Sequence, residues 1–213
     1  MTNRGVFISF EGGDGAGKST QIKLLAAQLN DAGREVVVTR EPGGSEGAEA
    51  IRALIVKGDK DRWSPMSEAL LMYAARADHL EKVIQPAIAR GAVVISDRFA
   101  DSTMAYQGLA GDFGRERVEA LYDLVVGDHG PHLTIILDAP AEEGLRRATA
   151  DDGETRFEEK GAQFQHQVRD AFLTIAREEP DRCVVIDARN SIETVAEAVL
   201  SAVKSRLPAL LGK

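Results

Sequence analysis

The chain alternates between short apolar runs and longer segments in which apolar residues recur every three or four positions. The short runs are rich in Val and Ile at consecutive positions, as in the strands of a parallel sheet buried on both faces. They predict five strands, at residues 6–10, 35–39, 92–96, 133–137 and 183–186. The longer segments predict helices at residues 18–31, 46–56, 66–89, 164–178 and 192–207. This order is typical of an α/β fold with a five-stranded parallel sheet flanked by helices.

Three of the predicted strands are followed by an aspartate, at Asp97, Asp138 and Asp187. In open α/β sheets, ligands bind beyond the carboxyl ends of the strands, so all three residues are candidates for a site. Only Asp97 is followed directly by an arginine, Arg98. We therefore expect a site role for Asp97, and capping of a turn or helix for the other two.

A glycine-rich loop lies between the first strand and the first helix. Its sequence, Gly-Gly-Asp-Gly-Ala-Gly-Lys-Ser at residues 12–19, fits the pattern G-x-x-x-x-G-K-[ST] in the strand–helix context that the pattern requires. Main-chain N–H groups and the helix N-terminus attract phosphate, Lys18 adds a charge at the β and γ phosphates, and Ser19 can hold Mg²⁺. The loop predicts ATP and Mg²⁺ as cofactors, with ATP bound by Gly12, Gly13, Asp14, Gly15, Ala16, Gly17, Lys18, Ser19 and Thr20.

Composition and charge narrow the possible functions. The length of 213 residues suits a single domain, and the net charge of -8 argues against general binding to nucleic acid, which needs clustered cations. The one cysteine, Cys183, lies in an apolar run, which favours a buried structural thiol and a reducing compartment. The first residues have no signal-peptide pattern and no apolar run is long enough to cross a membrane, so we expect a cytoplasmic protein. The sequence also lacks the Asn/Thr-Lys-x-Asp motif with which GTPases bind guanine, so a kinase of a small acceptor is favoured.

Four segments together carry a resemblance to a known family. They are residues 10–20, residues 39–44, residues 97–99 with 102–108, and residues 156–158. In their order and spacing the chain resembles the bacterial thymidylate kinases, which are P-loop nucleoside monophosphate kinases, over essentially its whole length. The resemblance implies a P-loop NTPase fold with a short lid at about residues 143–160, the ATP-dependent conversion of dTMP to dTDP in dTTP biosynthesis, and a homodimer. A kinase of dUMP, CMP or a non-nucleotide is the nearest alternative, and a nucleotide-dependent switch is another.

The resemblance also assigns roles to individual residues. It implies that Arg98 grips the acceptor phosphate, that Asp97 organises Mg²⁺ through water together with Ser19, and that Asp14 contacts the 3′-hydroxyl of the sugar. It further implies that Arg76 reaches the O4 edge of thymine, and that Tyr106 leaves no space for a ribose 2′-hydroxyl. The complete set of expected dTMP contacts is Asp14, Arg40, Pro42, Tyr73, Arg76, Arg98, Thr103, Tyr106, Gln107 and Glu158.

Two departures from the family pattern leave alternatives open. One helical turn before Arg76 the family commonly has a phenylalanine, but here the residue is Met72, so either Met72 or Tyr73 contacts the base. Family members with an uncharged phosphate loop place extra arginines in the lid, yet residues 148–155 contain none. Arg156 is the first candidate for the transition-state contact, which makes the expected catalytic set Lys18, Arg98 and Arg156. Arg147 either stacks on adenine or contacts phosphate.

Overall fold

The computed structural model describes residues 5–59, 61–140, 142 and 161–211. Its five strands form one parallel sheet in the order β2-β3-β1-β4-β5. The strands are β1 (Val6–Glu11), β2 (Val36–Arg40), β3 (Val93–Asp97), β4 (Leu133–Asp138) and β5 (Cys183–Asp187). The predicted α/β fold is confirmed, and the predicted strand ends differ from those observed by one residue at most.

Helices cover both faces of the sheet. They are α1 (Lys18–Asp31), α2 (Glu46–Ile55), α3 (Pro65–His79), α4 (Gln85–Ala89), α5 (Ala100–Thr103), α6 (Arg115–Val125), α7 (Ala162–Glu178) and α8 (Ile192–Arg206). Two π-helical segments, Leu80–Ile84 and Met104–Leu109, continue α3 into α4 and extend α5. The single helix predicted at residues 66–89 is therefore helical throughout, but in three pieces.

The sequence prediction misses the helical residues 100–109 and 115–125. The α5 helix has only four residues before it widens into a π-helix, so the period of 3.6 residues does not repeat there. The α6 helix does carry an apolar stripe, because Val118, Leu121, Tyr122 and Val125 recur every three or four positions and pack on the core beside α3. The sequence therefore contains a signal for this helix that the prediction above does not include.

Neighbouring strand residues point to opposite faces of the sheet, and both faces are buried. Ile8 of β1 packs with α1 and α8, whereas Phe7 packs with α3 and α6. In β4, Ile135 belongs to the first of these clusters and Ile136 packs against α7. Because burial continues on both faces, the strands read as unbroken apolar runs rather than as an alternation of apolar and polar residues.

The parallel register brings the ends of three strands together. Phe10 of β1 and Arg40 of β2 are both partners of Asp97 in β3. By contrast, Asp138 forms an ion pair with Arg169 of α7, at 2.6 Å between Oδ1 and Nε, and Asp187 accepts a hydrogen bond from the main-chain N–H of Arg189. These contacts favour the structural interpretation of the last two aspartates.

Other expectations concern the cysteine and the membrane. Cys183 is buried beside α7, and burial raises the pKa of its thiol to about 12, so the thiol stays protonated and unreactive at neutral pH. In the part of the chain that the structure describes, the helices are too short or too polar to span a bilayer.

The two-sided core predicts a contrast within helix α1. Leu29 is fully buried and Leu24 is 37% exposed. We expect Leu29→Ala to lower the free energy of unfolding by about 2–5 kcal/mol, because it leaves a cavity between helix and sheet. Leu24→Ala is the matched control and should change it by less than about 1 kcal/mol. Urea titrations with an unchanged m-value measure both, and equal losses would contradict the packing described here.

Candidate active site

The glycine-rich loop leaves β1 and enters α1 at the centre of the sheet. Gly12 has a φ of 127°, and a Cβ there would lie 2.4 Å from the carbonyl oxygen of Leu137, so only glycine fits. Gly17 precedes α1 with a φ of 91°, and a Cβ built on Gly13 or Gly17 would meet no atom of the described residues within 4 Å. The loop therefore borders open space at the helix N-terminus, where main-chain N–H groups favour an anion.

Lys18 and Arg98 approach the loop from two sides. The ammonium of Lys18 lies 3.0 Å from the carbonyl oxygen of Gly13 and 3.4 Å from that of Gly12. The guanidinium of Arg98 donates to the same Gly12 oxygen over 3.0 Å. The residue predicted to bind the donor phosphates and the residue predicted to bind the acceptor phosphate thus meet at one main-chain atom.

The second guanidinium nitrogen of Arg98 joins a group of polar side chains. It forms an ion pair with Asp14 and lies 3.4 Å from the hydroxyl of Tyr106, which donates to the other oxygen of Asp14 over 3.3 Å. The Tyr106 ring lies 5.3 Å from the centre of the guanidinium and is held edge-on by Phe164 and Phe172. Arg98 and Tyr106, which are eight residues apart, thus form one hydrogen-bonded group with Asp14, which is more than 80 residues away in the sequence.

The charges of this group follow from burial and from each other. Burial lowers the pKa of Lys18, and the nearby positive charge of Arg98 acts in the same direction. Burial alone would raise the pKa of Asp14, but Arg98 and Lys18 outweigh it and hold that pKa below its usual value. Burial raises the pKa of Tyr106, so its hydroxyl stays protonated and able to donate. The site therefore has a carboxylate and two close cations that a phosphate would stabilise.

Ser19 and Asp97 form the candidate metal site. The hydroxyl of Ser19 donates to Oδ2 of Asp97 over 2.9 Å, at an exposed position beyond the end of β3. A hydroxyl and a carboxylate at a phosphate loop are the oxygen ligands that suit Mg²⁺, either directly or through water. The donor atoms present therefore fit the predicted ion.

Arg76 of α3 lies at a second, more deeply buried part of the site. Its Nε donates to Oε2 of Glu41 over 2.8 Å, and one terminal nitrogen donates to the hydroxyl of Thr103 over 3.1 Å. The other terminal nitrogen, Nη1, is buried and has no hydrogen-bond partner among the described residues. Burial alone would lower the pKa of Arg76, but the carboxylate of Glu41 raises it, so the guanidinium keeps its charge.

The remaining predicted contacts divide into two groups. Thr103, at the end of α5, and Gln107, in the following π-helical segment, are both buried, and Gln107 donates to Oε1 of Glu68 over 2.8 Å. Arg40 is half-exposed at the end of β2 and pairs with Glu49 over 3.0 Å, while the carbonyl oxygen of Pro42 accepts from Arg52. Arg40 and Pro42 are thus tied to α2 rather than to the group around Arg98.

Tyr73 lies elsewhere than the base-stacking interpretation requires. It is 2% exposed in the core, its hydroxyl donates to the main-chain oxygen of Val118 over 3.3 Å, and Arg76 lies 4.6 Å above its ring. Its ring therefore supports Arg76 instead of offering a free face. Met72 is partly exposed and becomes the better candidate of the two for a contact with the base. The predicted residues Arg147, Arg156 and Glu158, and the predicted lid, lie outside the described residues.

Comparison with known proteins agrees with this geometry. The family model described as thymidylate kinase matches residues 10–199. The chain belongs to the thymidylate kinase family. Thymidylate kinases of Caulobacter vibrioides and Dinoroseobacter shibae are 60% and 54% identical to it, over 96% and 94% of this chain and 98% and 97% of their own length. The crystal structure of thymidylate kinase from Ehrlichia chaffeensis matches with a TM-score of 0.76 and 36% identity, covering 94% of this chain and 99% of that one. Thymidylate kinases phosphorylate dTMP to dTDP with ATP, and these matches confirm the P-loop kinase fold.

Sequence reasoning missed several carboxylates that hold this thymidylate kinase site together. Glu11, at the end of β1, accepts hydrogen bonds from the main-chain N–H of Phe99 and from the hydroxyl of Ser102, over 2.7 and 2.6 Å. Glu41 directly follows β2 and holds Arg76. Both positions show the signal that identified Asp97, an acidic residue at the carboxyl end of an apolar strand, although only the aspartates were considered.

Glu11 supports an unusual backbone at Arg98. Among the described residues, Arg98 alone has a positive φ without being glycine, at 68°. Such a conformation is strained and persists only where neighbouring contacts determine it. The N–H of Arg98 donates to the Phe10 oxygen over 2.9 Å, Ser96 donates to the Arg98 oxygen over 2.7 Å, and Glu11 holds the next N–H.

Burial makes the ionisation of Glu11 a pH-dependent term in stability. Burial in the folded protein raises the pKa of Glu11 to about 8, whereas the same carboxyl group in the unfolded chain has a pKa near 4.5. The folded state therefore binds more protons between these values, and its stability falls as the pH rises through them. We expect Glu11→Gln to remove that contribution, about 1.4 kcal/mol for each unit of pKa difference. Urea unfolding from pH 5 to pH 8 measures it.

The control for this measurement is Glu35→Gln, because Glu35 is an exposed carboxylate that pairs with Arg90. Its pH profile should follow that of the unmodified chain. If the free energy of unfolding of Glu11→Gln changed with pH in parallel with that of the unmodified chain, Glu11 would already be ionised in the folded state at pH 5. That result would refute the raised pKa.

Proposed function

We propose that this chain transfers the γ-phosphoryl group of ATP to the phosphate of dTMP, and that the residues around Gly12 form the transfer site. The observation that carries the proposal is the convergence of Lys18 and Arg98 on the Gly12 carbonyl oxygen. Asp14 pairs with only one of these two largely buried cations, so the site favours a further anion, and a transferring phosphoryl group is such an anion. The matching family and relatives support the choice of substrate.

The reaction needs positioning and charge neutralisation more than proton transfer. A phosphate oxygen of dTMP attacks the γ-phosphorus, a new P–O bond forms, and the bond to the leaving ADP oxygen breaks in line. The acceptor phosphate is already an anion near neutral pH, so no general base is required. Lys18 stabilises charge on the donor side and Arg98 on the acceptor side. Mg²⁺, held by Ser19 and by Asp97 through water, would neutralise charge on the phosphates.

The acceptor sugar is proposed to lie between Asp14 and Tyr106. The carboxylate of Asp14 accepts a hydrogen bond from the 3′-hydroxyl of the sugar. This hydrogen bond replaces part of the present contact between Asp14 and Arg98. The Tyr106 ring is fixed between Phe164 and Phe172 and by Arg98, so it cannot move aside for an additional 2′-hydroxyl.

Arg76, Thr103 and Gln107 are proposed to contact the base. Arg40, Pro42 and Glu158 are proposed for the pocket wall, and Met72 for the side of the base, while Tyr73 supports Arg76 from the core.

Three further assignments extend the proposal. Arg156 is proposed for the transition-state contact and Arg147 for the adenine or a phosphate. A homodimer is proposed, and it is supported by apolar side chains of α2 and α3, Leu54, Met66 and Leu70, which are 42–52% exposed. The proposed compartment is the cytoplasm, which accords with a buried cysteine that needs no disulfide.

The acceptor is tested by measuring ADP release with ATP and Mg²⁺ in the presence of dTMP, dUMP, the ribose form of TMP, CMP or shikimate. We expect strong turnover with dTMP, less with dUMP and almost none with the ribose form, because Tyr106 closes the space at the 2′ position. Release of ADP without an acceptor, or faster with another acceptor, would refute the proposed substrate.

The roles of the two cations are tested by Lys18→Ala and Arg98→Ala. Each should lower turnover of dTMP by about 10²-fold or more, the scale seen when one transition-state donor is lost. Arg90→Ala is the control, because Arg90 is an exposed arginine that pairs with Glu35. Turnover within about twofold of the unmodified enzyme in both site variants would refute the assigned roles.

A further inference from the structure

The buried histidine His79 has no role in the reaction as described above. It is the last residue of α3 and is fully buried. Its Nδ1 lies 3.0 Å from Oε1 of Glu41, whose other oxygen, Oε2, accepts from Nε of Arg76 over 2.8 Å. Two donors from α3 thus hold the two oxygens of one carboxylate that follows β2. The three side chains are at most 5% exposed, so water competes little for these hydrogen bonds.

The partner of each ring nitrogen shows which nitrogen of His79 carries a hydrogen. A carboxylate can only accept, so Nδ1 of His79 carries the hydrogen that faces Glu41. The opposite ring nitrogen, Nε2, lies 2.6 Å from the hydroxyl of Thr39, near the end of β2. A continuous series of hydrogen bonds therefore runs from Thr39 through His79 and Glu41 to Arg76, and from Arg76 to Thr103.

The turn after β2 is packed directly onto this histidine. Gly44 has a φ of 89°, and a Cβ there would lie 2.4 Å from Nε2 of His79 and 2.5 Å from the Thr39 hydroxyl. The next residue, Ser45, donates to Asp78 on α3 over 2.5 Å. The turn therefore packs against the edge of the ring, and Thr39 and Glu41 hold the two ring nitrogens, so the ring can hold Glu41 in one orientation.

The guanidinium of Arg76 is consequently fixed on several sides. Glu41 holds Nε, Thr103 holds one terminal nitrogen, and the rings of Tyr73 and Phe99 lie 4.6 and 5.1 Å from its centre. Nη1 is left buried without a partner among the described residues. A buried charged donor without a partner is unfavourable, so its free energy improves when a ligand atom binds it. The direction of that donor depends on the orientation of the Glu41 carboxylate.

We propose that His79 and Glu41 are positioning residues that aim Nη1 of Arg76 at the pyrimidine of the acceptor, and so set its recognition. The inference rests on the proposed placement of the thymine O4 edge beside Arg76. Glu41 acts on Arg76 directly, and His79 acts by keeping the carboxylate from rotating. Recognition of a carbonyl at that edge by a donor also disfavours cytosine, which carries an amino donor there.

The test compares His79→Ala and His79→Asn with the unmodified enzyme in steady-state assays. We expect His79→Ala to raise the KM for dTMP by about tenfold, equivalent to about 1.4 kcal/mol of binding, because Arg76 is no longer aimed. The kcat should change by less than about threefold and the KM for ATP should be unaffected, because the distal base contact does not differ between ground and transition states. The preference for dTMP over dCMP should fall as well. The asparagine amide can donate to Glu41, so His79→Asn should recover part of the loss.

The matched control is His132→Ala. His132 accepts a hydrogen bond from the N–H of Phe7 over 3.1 Å, near the start of β1 and therefore at the opposite end of the strands from the site. Its replacement should leave the KM for dTMP unchanged. An increase equal to that of His79→Ala would show that the effect comes from general loosening of the fold, and would overturn the proposal.

A double-mutant cycle with Arg76→Ala separates positioning from a structural effect. If His79 acts through Arg76, then His79→Ala should change the KM for dTMP by less than about twofold in the Arg76→Ala background. A tenfold increase in both backgrounds would overturn the inference. A wrong placement of the base can be told apart from a wrong role for His79. If the base does not lie beside Arg76, Arg76→Ala alone leaves the KM for dTMP unchanged. Failure of the proposed function would show as absence of dTMP turnover in the unmodified enzyme.

A milder pair of variants keeps the test valid if His79→Ala does not fold. Thr39→Val keeps the side-chain volume but removes the hydroxyl that contacts Nε2 of His79, whereas Thr39→Ser keeps that hydroxyl. We expect Thr39→Val to raise the KM for dTMP by about threefold and Thr39→Ser to leave it near its original value. Equal values for the two variants would overturn the role of the hydrogen-bond series.

Discussion

Lys18 and Arg98 lie on either side of the Gly12 carbonyl oxygen, and both side chains are largely buried. Two like charges at this distance repel each other, and burial weakens the screening that water would provide. The surrounding fold therefore has to supply negative charge and hydrogen-bond acceptors at the same place. Asp14 supplies the carboxylate, and the main chain of the phosphate loop supplies the carbonyl oxygens. The remaining excess of positive charge is what makes the site suited to phosphate groups.

Carboxylates behind the site also explain how an acidic chain can bind polyanions. The net charge is -8, yet Glu11, Glu41 and Glu68 are buried, and each is hydrogen-bonded to the segment or side chain that would face a substrate. Glu11 holds the main chain after Arg98, Glu41 holds Arg76, and Glu68 holds Gln107. Because these acidic groups lie behind the site residues, they orient donors toward the ligand space. The overall charge therefore says little about the potential at this cleft.

The strained backbone at Arg98 shows how closely the parts of the site depend on one another. Its φ of 68° turns the chain directly after β3, which lets one residue, Asp97, face Ser19 while the next reaches Gly12 and Asp14. Contacts from Phe10, Ser96 and Glu11 hold the main chain on both sides of this residue. The strand β1 thus leads into the phosphate loop and also holds the main chain at Arg98, so the positions of the loop and of this arginine depend on the same strand.

The sequence by itself determined the parallel α/β fold, the phosphate loop and the position of the Asp97–Arg98 pair at the carboxyl end of a strand, because each depends on residues adjacent in the chain or on a local period. It did not reveal that Glu41 joins Arg76 and His79, which are 35 and 38 residues away. It also did not reveal that Tyr73 lies in the core beneath Arg76, and so it left open whether Met72 or Tyr73 contacts the base. Contacts of this kind depend on how far α3 is rotated and shifted against the sheet. Only the packing of whole elements fixes that geometry, and the order of apolar and polar residues along the chain does not encode it.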